Sequence, residues 1–423
     1  MPETSKHDEN TQLSDARREA ARIIQAVTEG NPSLVIALVD ALILHALAAG
    51  TSDIHILPGR RDISVRFRVD GILEEEHHIP LSVHSELIAR LKILSNVRTD
   101  EHHAAQDGRF RFALNDERSI DVRISLAPTY YGENAVLRLL ALDARIGSLD
   151  QLGFTAAHTA LLEAAISRAH GMILATGPTG SGKTTTLYAL IATLTQQKQS
   201  IITIEDPIEY SMDGVSQIQV NARTGFTFAH GLRSLVRQDP DVIMVGEIRD
   251  EETARLACNA ALTGHLVLST LHTNDAATAL VRLRDLGIES YLLASSVTLI
   301  IAQRLVRRIC VQCSIPIELH AGEAEAVHTM REELGVPAYT HPSFRRGVGC
   351  IACRGTGYRG RVTVCELLAV DDALRIDLRI LSDAQELAAR AYDRGSVPLL
   401  SDALQKAADG MTTLEEIFRL RRS

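Results

Sequence analysis

Residues 177–184 read GPTGSGKT and match G-x-x-x-x-G-K-[ST] in full, between an apolar run at 172–175 and a helical pattern. That composition is chemistry for phosphate. Gly177, Gly180 and Gly182 let the backbone curl so that successive N–H groups point at phosphate oxygens, and the helix start adds partial positive charge. Lys183 reaches the β- and γ-phosphates, and Thr184 offers its hydroxyl to Mg²⁺. Pro178, Thr179, Ser181 and Thr185 complete the expected cradle, with ATP and Mg²⁺ as its ligands. The other reading of such a stretch, a glycine-rich turn that binds nothing, does not account for the full motif in this setting.

Hydrolysis asks for more: a carboxylate to orient or deprotonate water, and charge to stabilise the transition state. ITIEDPIEY brings Glu205, Asp206 and Glu209 to the end of one apolar run. DPDVIMVGEIRD places Asp241 before the next run and Glu247, Arg249 and Asp250 after it. Ligands of α/β sheets sit beyond the carboxyl ends of the strands, so both acidic groups are expected to face the same phosphates. Singly, each carboxylate could be a solvated loop residue or a helix cap. LTGHLVLSTLHTNDA adds His265 and His272 around a further strand, either as hydrogen-bonded core residues or as a polar link between nucleotide and a neighbouring subunit.

A second constellation lies downstream. Cys310, Cys313, Cys350 and Cys353 form two C-x-x-C pairs. Each pair presents two thiolates from one tight turn, and two such turns complete a tetrahedral S₄ site, the preference of Zn²⁺. Gly349, Gly355 and Gly357 suit the sharp turns beside it. Four cysteines leave no coordination place for a substrate, so the zinc is expected to be structural. Cys258 and Cys365 stand apart and read as buried fillers. Arg304, Arg307, Arg308, Arg345, Arg346, Arg354, Arg359 and Arg361 make this region locally basic. It is either a solvated face or a docking surface for an acidic loop of a membrane protein.

The elements that must carry these residues follow from periodicity. Apolar runs at 172–175, 201–205, 242–245 and 266–270 alternate with helical patterns, which indicates a parallel sheet covered on both faces. Ahead of them, 63–69, 109–114 and 120–126 alternate apolar and polar, with Asp70-Gly71 and residues 115–117 as turns and a helical stretch between the strand pairs. The 423 residues exceed one ordinary core. The chain is 45% hydrophobic and only 4% aromatic, with a net charge of −9. That balance describes a globular protein with aliphatic cores and speaks against a dedicated nucleic-acid binder. No secretory signal opens the chain, and the apolar stretch 34–49 is too short for a bilayer and holds Asp40 and His45.

These boxes, in this order, resemble the secretion ATPase superfamily, the motors of type II secretion, type IV pilus assembly and DNA-uptake pseudopili. TSDIHILP looks like the opening motif of the family's second N-terminal domain, and AAQDGRF with DVRISLAPTYYGENAVLRLL like its arginine-bearing part. EDPIEY matches the aspartate box, DPDVIMVGEIRD the Walker B box and TGHLVLSTLHTNDA the histidine box. The resemblance implies an α/β fold: a RecA-like P-loop NTPase core, a smaller N-terminal α+β (PAS-like) domain and a C-terminal zinc-binding and helical region. The expected division is a flexible arm at 1–31, the small domain at 32–142, a linker at 143–153, the core at 154–301, the tetracysteine module at 302–370 and helices at 371–423.

It further implies a homo-hexamer with ATP bound between domains and across subunit boundaries. Arg109, Arg123 and Arg138 fit the trans-acting arginines, Glu209 the water-activating carboxylate, and Glu205 and Glu247 groups that serve Mg²⁺ or each other; His272 joins them as a catalytic candidate. Assembly-type members carry a tetracysteine site and retraction motors generally lack one. The expected function is therefore an ATPase motor that assembles a pilus or pseudopilus through an inner-membrane platform protein. It would be cytoplasmic, peripheral to the inner face of the membrane, with no direct nucleic-acid partner. The alternatives are a retraction or conjugation-type relative, a RecA-like nucleic-acid motor and an inactive scaffold. Two departures stand out: Leu57 replaces a usually acidic residue, and only the arm precedes Pro32 where full-length members carry a docking domain, so recruitment by that route is not expected.

Overall fold

The computed structural model describes the chain except residues 1–3, 30–33, 115–118, 141–146, 336–341, 382 and 423. The turn expected at 115–117 lies outside the described residues. Two compact units emerge, Met1–Ala144 and Arg145–Ser423.

The first unit is built on an antiparallel sheet of β1 (Thr51–Pro58), β2 (Asp62–Val69), β3 (Ile72–Pro80), β4 (Gln106–Ala113), β5 (Ser119–Thr129) and β6 (Gly132–Leu140), in the order β3-β2-β1-β6-β5-β4. Alternation decides its faces: Ile63, Val65 and Phe67 of β2 and Ile120, Val122 and Ile124 of β5 are buried. The turn between β2 and β3 holds Asp70 and Gly71 at φ of +49° and +87°, the conformation that favours Asp-Gly there. Helices Val35–Ala48 and His84–Leu94 bury Leu38, Leu42, Leu87 and Leu91 in the same core. The arm differs from the expected flexible segment. Thr4–Thr28 is one helix, and Ala20, Ile23 and Val27, spaced three and four apart, are buried in this core.

The second unit carries β7 (Gly171–Thr176), β8 (Ile201–Glu205), β9 (Ser216–Gln219), β10 (Val242–Val245), β11 (Leu266–Leu271), β12 (Val297–Ile309) and β15 (Tyr358–Ala369) in one sheet, ordered β15-β12-β7-β11-β10-β8-β9. All its pairings are parallel except β12 with β15. Alternate residues of β7 feed opposite cores: Ile173 and Ala175 meet helices Ala156–Ile166 and Lys183–Thr195, while Met172 and Leu174 meet Glu251–Leu262 and Ala276–Asp285. The boundary expected at 301/302 falls inside β12. The basic residues that suggested a change of texture sit on a strand whose alternate side chains still enter the core, and β15 closes on it from beyond the cysteines. Between them, β13 (Ser314–Pro316) and β14 (Arg345–Gly347) form a small antiparallel pair. Helix Leu149–Leu152 occupies part of the expected linker. Among the described residues no helix is long and apolar enough to cross a membrane.

Candidate functional site

β7 is buried along its length and runs into the glycine-rich loop, where Gly177, Gly180 and Gly182 take φ of +148°, +80° and +88°. A Cβ on Gly177 would stand 2.5 Å from both the Gln303 carbonyl oxygen and Ser181 Oγ, so only glycine fits. Pro178, Thr179 and Gly180 are exposed, Ser181 is buried, and Thr184 and Thr185 are half-buried on the first turn of helix Lys183–Thr195. Lys183 Nζ donates to the carbonyls of Gly177 at 2.8 Å and Pro178 at 3.1 Å. Burial pulls its ammonium down to about 8, opposed by the Glu247 carboxylate and reinforced by Arg304.

The acidic boxes separate into two networks. Glu247 follows β10; its Oε1 accepts from Arg249 at 2.6 Å, and its Oε2 lies 3.5 Å from His272 Nε2 at the end of β11. The Glu247 hydrogen bond, with its charge and that of Asp206, raises the Arg249 pKa. The structure therefore brings Lys183, Glu247 and His272 to one edge of the sheet. Glu205, buried at the end of β8, accepts from Thr203 Oγ1 at 2.6 Å, from Gln217 Nε2 at 3.2 Å and from the Tyr188 hydroxyl. Its oxygens are thus held by Tyr188, Thr203 and Gln217, apart from the Glu247 network. Glu209 is half-buried, and its backbone N–H lies 3.4 Å from the same Tyr188 oxygen. Three other residues lie elsewhere. Asp241 accepts from Ser200 N–H at the amino edge of β10, Asp250 caps helix Glu251–Leu262, and His265 precedes β11, at the opposite end of that strand from His272. Their sequence neighbourhood put them near the phosphates; strand direction takes Asp241 and His265 to the other edge.

Several residues that hold this edge together gave no motif. Gln303 of β12, fully buried, donates to the Ser181 carbonyl at 2.8 Å and so ties the phosphate loop to a strand 122 residues away. Its one signal is an amide inside the apolar run VTLIIAQRLV. Thr176, the last residue before the loop, shares a 2.7 Å hydroxyl contact with Thr273. Tyr188 looks like an aromatic core residue in the sequence, yet its hydroxyl joins the two halves of the aspartate box.

On the first unit the three arginines fall into one row. Arg109 of β4 pairs with Arg123 of β5, Arg123 with Arg138 of β6, and Arg138 with Asp53 of β1. Direct cross-strand partners share a face, so three guanidinium groups stand side by side. Asp53 accepts from Arg138 Nε at 3.0 Å, which compensates one end. Three such groups in one row would all act on an anion bound over that face.

The four cysteines of the downstream module converge. Cys310 and Cys350 sulfurs are 3.8 Å apart, Cys313 and Cys353 3.8 Å, and Cys350 and Cys353 3.7 Å, with all four ligand atoms within 4.8 Å of one another. A tetrahedral site with Zn–S of about 2.3 Å sets its sulfurs about 3.8 Å apart, so the set fits Zn²⁺. Burial raises the Cys353 thiol, but N–H groups of Cys350 and Gly357, at 3.1 and 3.3 Å, win and hold it at about 7. Cys258 is a buried filler, whereas Cys365 lies 3.3 Å from His158 Nδ1 and its N–H donates to Asp402. Lys406 occupies the same Asp402 oxygen at 2.6 Å, which leaves that cluster no charge for a cation.

A glycine-rich loop between an interior strand of a mostly parallel sheet and a helix, with acidic and histidine residues on neighbouring strand ends, defines a RecA-like P-loop nucleotide-binding fold. Residues 28–419 match the family of type II/IV secretion system proteins, and the chain belongs to that family. The type II secretion system ATPase E of Vibrio cholerae serotype O1 is 45% identical over 387 residues, 91% of this chain and 75% of that protein. The type IV pilus assembly ATPase TfpB of Acinetobacter baylyi is 41% identical over 392 residues, 93% of this chain and 66% of that protein. Among solved structures, the pilus retraction motor PilT with bound ADP superposes with a TM-score of 0.60 at 28% identity, covering 90% of this chain and 96% of that one.

Proposed function

We propose that the chain hydrolyses ATP as a ring of six and that turnover drives assembly of a type II secretion pseudopilus or a type IV pilus through a membrane platform protein. The observation that carries the reading is the set Lys183, Glu247 and His272 at the carboxyl edge of the sheet, in a chain similar over most of its length to secretion and pilus assembly ATPases. Lys183 and the loop N–H groups bind the β- and γ-phosphates, and Thr184 would hold Mg²⁺. Glu209, anchored next to Tyr188, orients and deprotonates the attacking water. Glu205 acts through Tyr188 as a positioning residue. Glu247 sets the charge of Lys183 and, through His272, senses the γ-phosphate edge. The row Arg109, Arg123 and Arg138 supplies positive charge to the phosphates of another subunit. The four cysteines would hold a structural Zn²⁺. Membrane association runs through partners, from the cytoplasmic side.

The test is ATP turnover of the purified chain with Lys183→Ala and Glu209→Gln, together with native mass and co-purification from membranes. The expected result is turnover abolished in both variants, six copies per particle, and a multi-span membrane protein retained by Glu209→Gln and released by Lys183→Ala. Hydrolysis unchanged in Lys183→Ala would overturn the reading. Filament retraction is the second reading, favoured by the likeness to PilT. Loss of filaments on deletion of the chain supports assembly, and hyper-abundant filaments support retraction.

A further inference from the structure

The two segments that carry the cysteines differ in charge from the rest of the chain, including the Glu-rich insertion between them. The whole protein has a net charge of −9, yet residues 302–317 and 342–365 contain no Asp or Glu and eight arginines. Part of that charge is committed inside: Arg307 pairs with Glu416 at 2.8 Å and lies 3.9 Å over the Tyr358 ring, and Arg345 donates to Ser314. Arg308, Arg346 and Arg361 are exposed and make no ion pair among the described residues.

The same module exposes aliphatic side chains at its two cysteine turns. Val311 follows Cys310 and is 75% exposed; Ile351 follows Cys350 and is 77% exposed; Val348 is 58% exposed. Single exposed apolar residues are ordinary on a protein surface. These three, however, sit on turns joined at their sulfurs and pinned by backbone, with Val348 N–H on the Cys313 carbonyl at 3.0 Å and Cys310 N–H on the Gly357 carbonyl at 2.9 Å. Gly347 and Gly357 approach so closely that a Cβ on Gly347 would stand 2.0 Å from the Gly357 oxygen. The turns therefore present Val311, Val348 and Ile351 without the entropy loss a flexible loop would suffer on binding.

We infer that the cysteine turns of this module are a docking surface for an acidic segment of another protein that carries aliphatic side chains. Unpaired guanidinium groups match carboxylates in charge and in bidentate geometry, and the rigid aliphatic tips match short apolar side chains. Nucleic acid fits less well: Phe344 is buried and Tyr358 lies half-buried under Arg307, so neither of these rings beside the cysteine turns is open for bases to stack on. A bilayer interface favours Trp, Tyr and Phe, and the tips carry only Val and Ile. The inference does not depend on ATP turnover.

The test places a photo-crosslinking benzoylphenylalanine at Val311 or at Ile351 of the full chain in its native cells. The expected product is a peptide of a second protein with net negative charge, identified by mass spectrometry. Arg308→Glu with Arg346→Glu reduces its yield at least tenfold, and Lys substitutions at the acidic residues of the captured segment restore it. Zinc content of one ion per chain in each variant shows that the module is intact. Turnover within twofold of the parent separates this proposal from the motor reading, since a parent without turnover sinks only the latter. Crosslinks confined to nucleic acid, lipid or further copies of this chain, no crosslink at all, or a yield indifferent to the two charge reversals would each overturn the docking surface.

Discussion

The phosphate loop and the cysteine centre are both tight turns shaped by glycine, and they are finished to different degrees. At the loop, the buried Ser181 Oγ and Gln303 Oε1 have no hydrogen-bond partner among the described residues, and Lys183 folds back onto two loop carbonyls. Around the cysteines, every sulfur has another within 3.8 Å, and N–H groups point at Cys353. A site for a ligand that enters and leaves must keep polar groups available; a site for a resident ion closes on itself. The contrast separates a working edge of the sheet from a structural clasp, and each variant below asks whether it holds.

The largest effect falls on the clasp. Cys353→Ser removes a ligand and the sulfur that receives two N–H groups, and structural zinc of this kind carries on the order of 10 kcal/mol of apparent binding energy. We expect zinc to fall from one ion per chain to none and residues 310–357 to become sensitive to limited proteolysis. A chain that stays protease-resistant without zinc would show that the packing alone holds the turns.

Next comes the working edge. Lys183→Ala should lower turnover by about 10³-fold or more, about 4 kcal/mol in transition-state binding, while leaving zinc content and melting temperature unchanged. The same lysine predicts a pH dependence. Burial holds its pKa at about 8, so its charge is present below that pH and lost as pH rises through it. ADP affinity should fall about tenfold between about pH 7 and about pH 9 by calorimetry, since phosphate binding needs the charged form. Lys183→Arg should flatten that slope; a slope unchanged by the substitution would assign it to another group.

These two sites were the parts most readable from sequence, because each is local: eight consecutive residues for the loop, two C-x-x-C pairs for the clasp. Four strands of the parallel sheet, β7, β8, β10 and β11, were readable for the same reason, as uninterrupted apolar runs, whereas β9, SQIQ, has no such pattern. What long-range pairing decides was not readable. β12 and β15 belong to the sheet because Gln303 meets Cys365 in register and the loop beside it, and no window of the sequence contains all three. Glu205 and Glu247 look equivalent as acids after apolar runs, yet Tyr188 and Gln217 close on one, Arg249 and His272 on the other. Strand direction likewise sends His265 and His272 to opposite ends of β11.

Gln303→Leu sharpens the comparison at intermediate size. The Ser181 carbonyl would lose its buried donor, at about 1–3 kcal/mol, and the loop its tie to β12. ADP affinity should weaken roughly tenfold in calorimetry, with zinc content unaltered. An unchanged affinity would mean that the glycines alone hold the loop in shape.

The smallest effect on stability is expected on the arginine row of the first unit, where stability and turnover together tell the two kinds of site apart. Arg123 stands directly between Arg109 and Arg138 in the register of the sheet. If the row exists for an anion, turnover needs the middle charge while the fold does not. Arg123→Gln should then lower turnover while changing stability by no more than about 0.5 kcal/mol in urea unfolding, as expected of a group kept for function. Arg111, paired with Asp121 at 3.3 Å on the same two strands, serves as the control. Arg111→Gln should change stability slightly in the unfavourable direction and leave turnover alone. Loss of stability on Arg123→Gln, with turnover intact, would instead make the row a structural feature of the sheet.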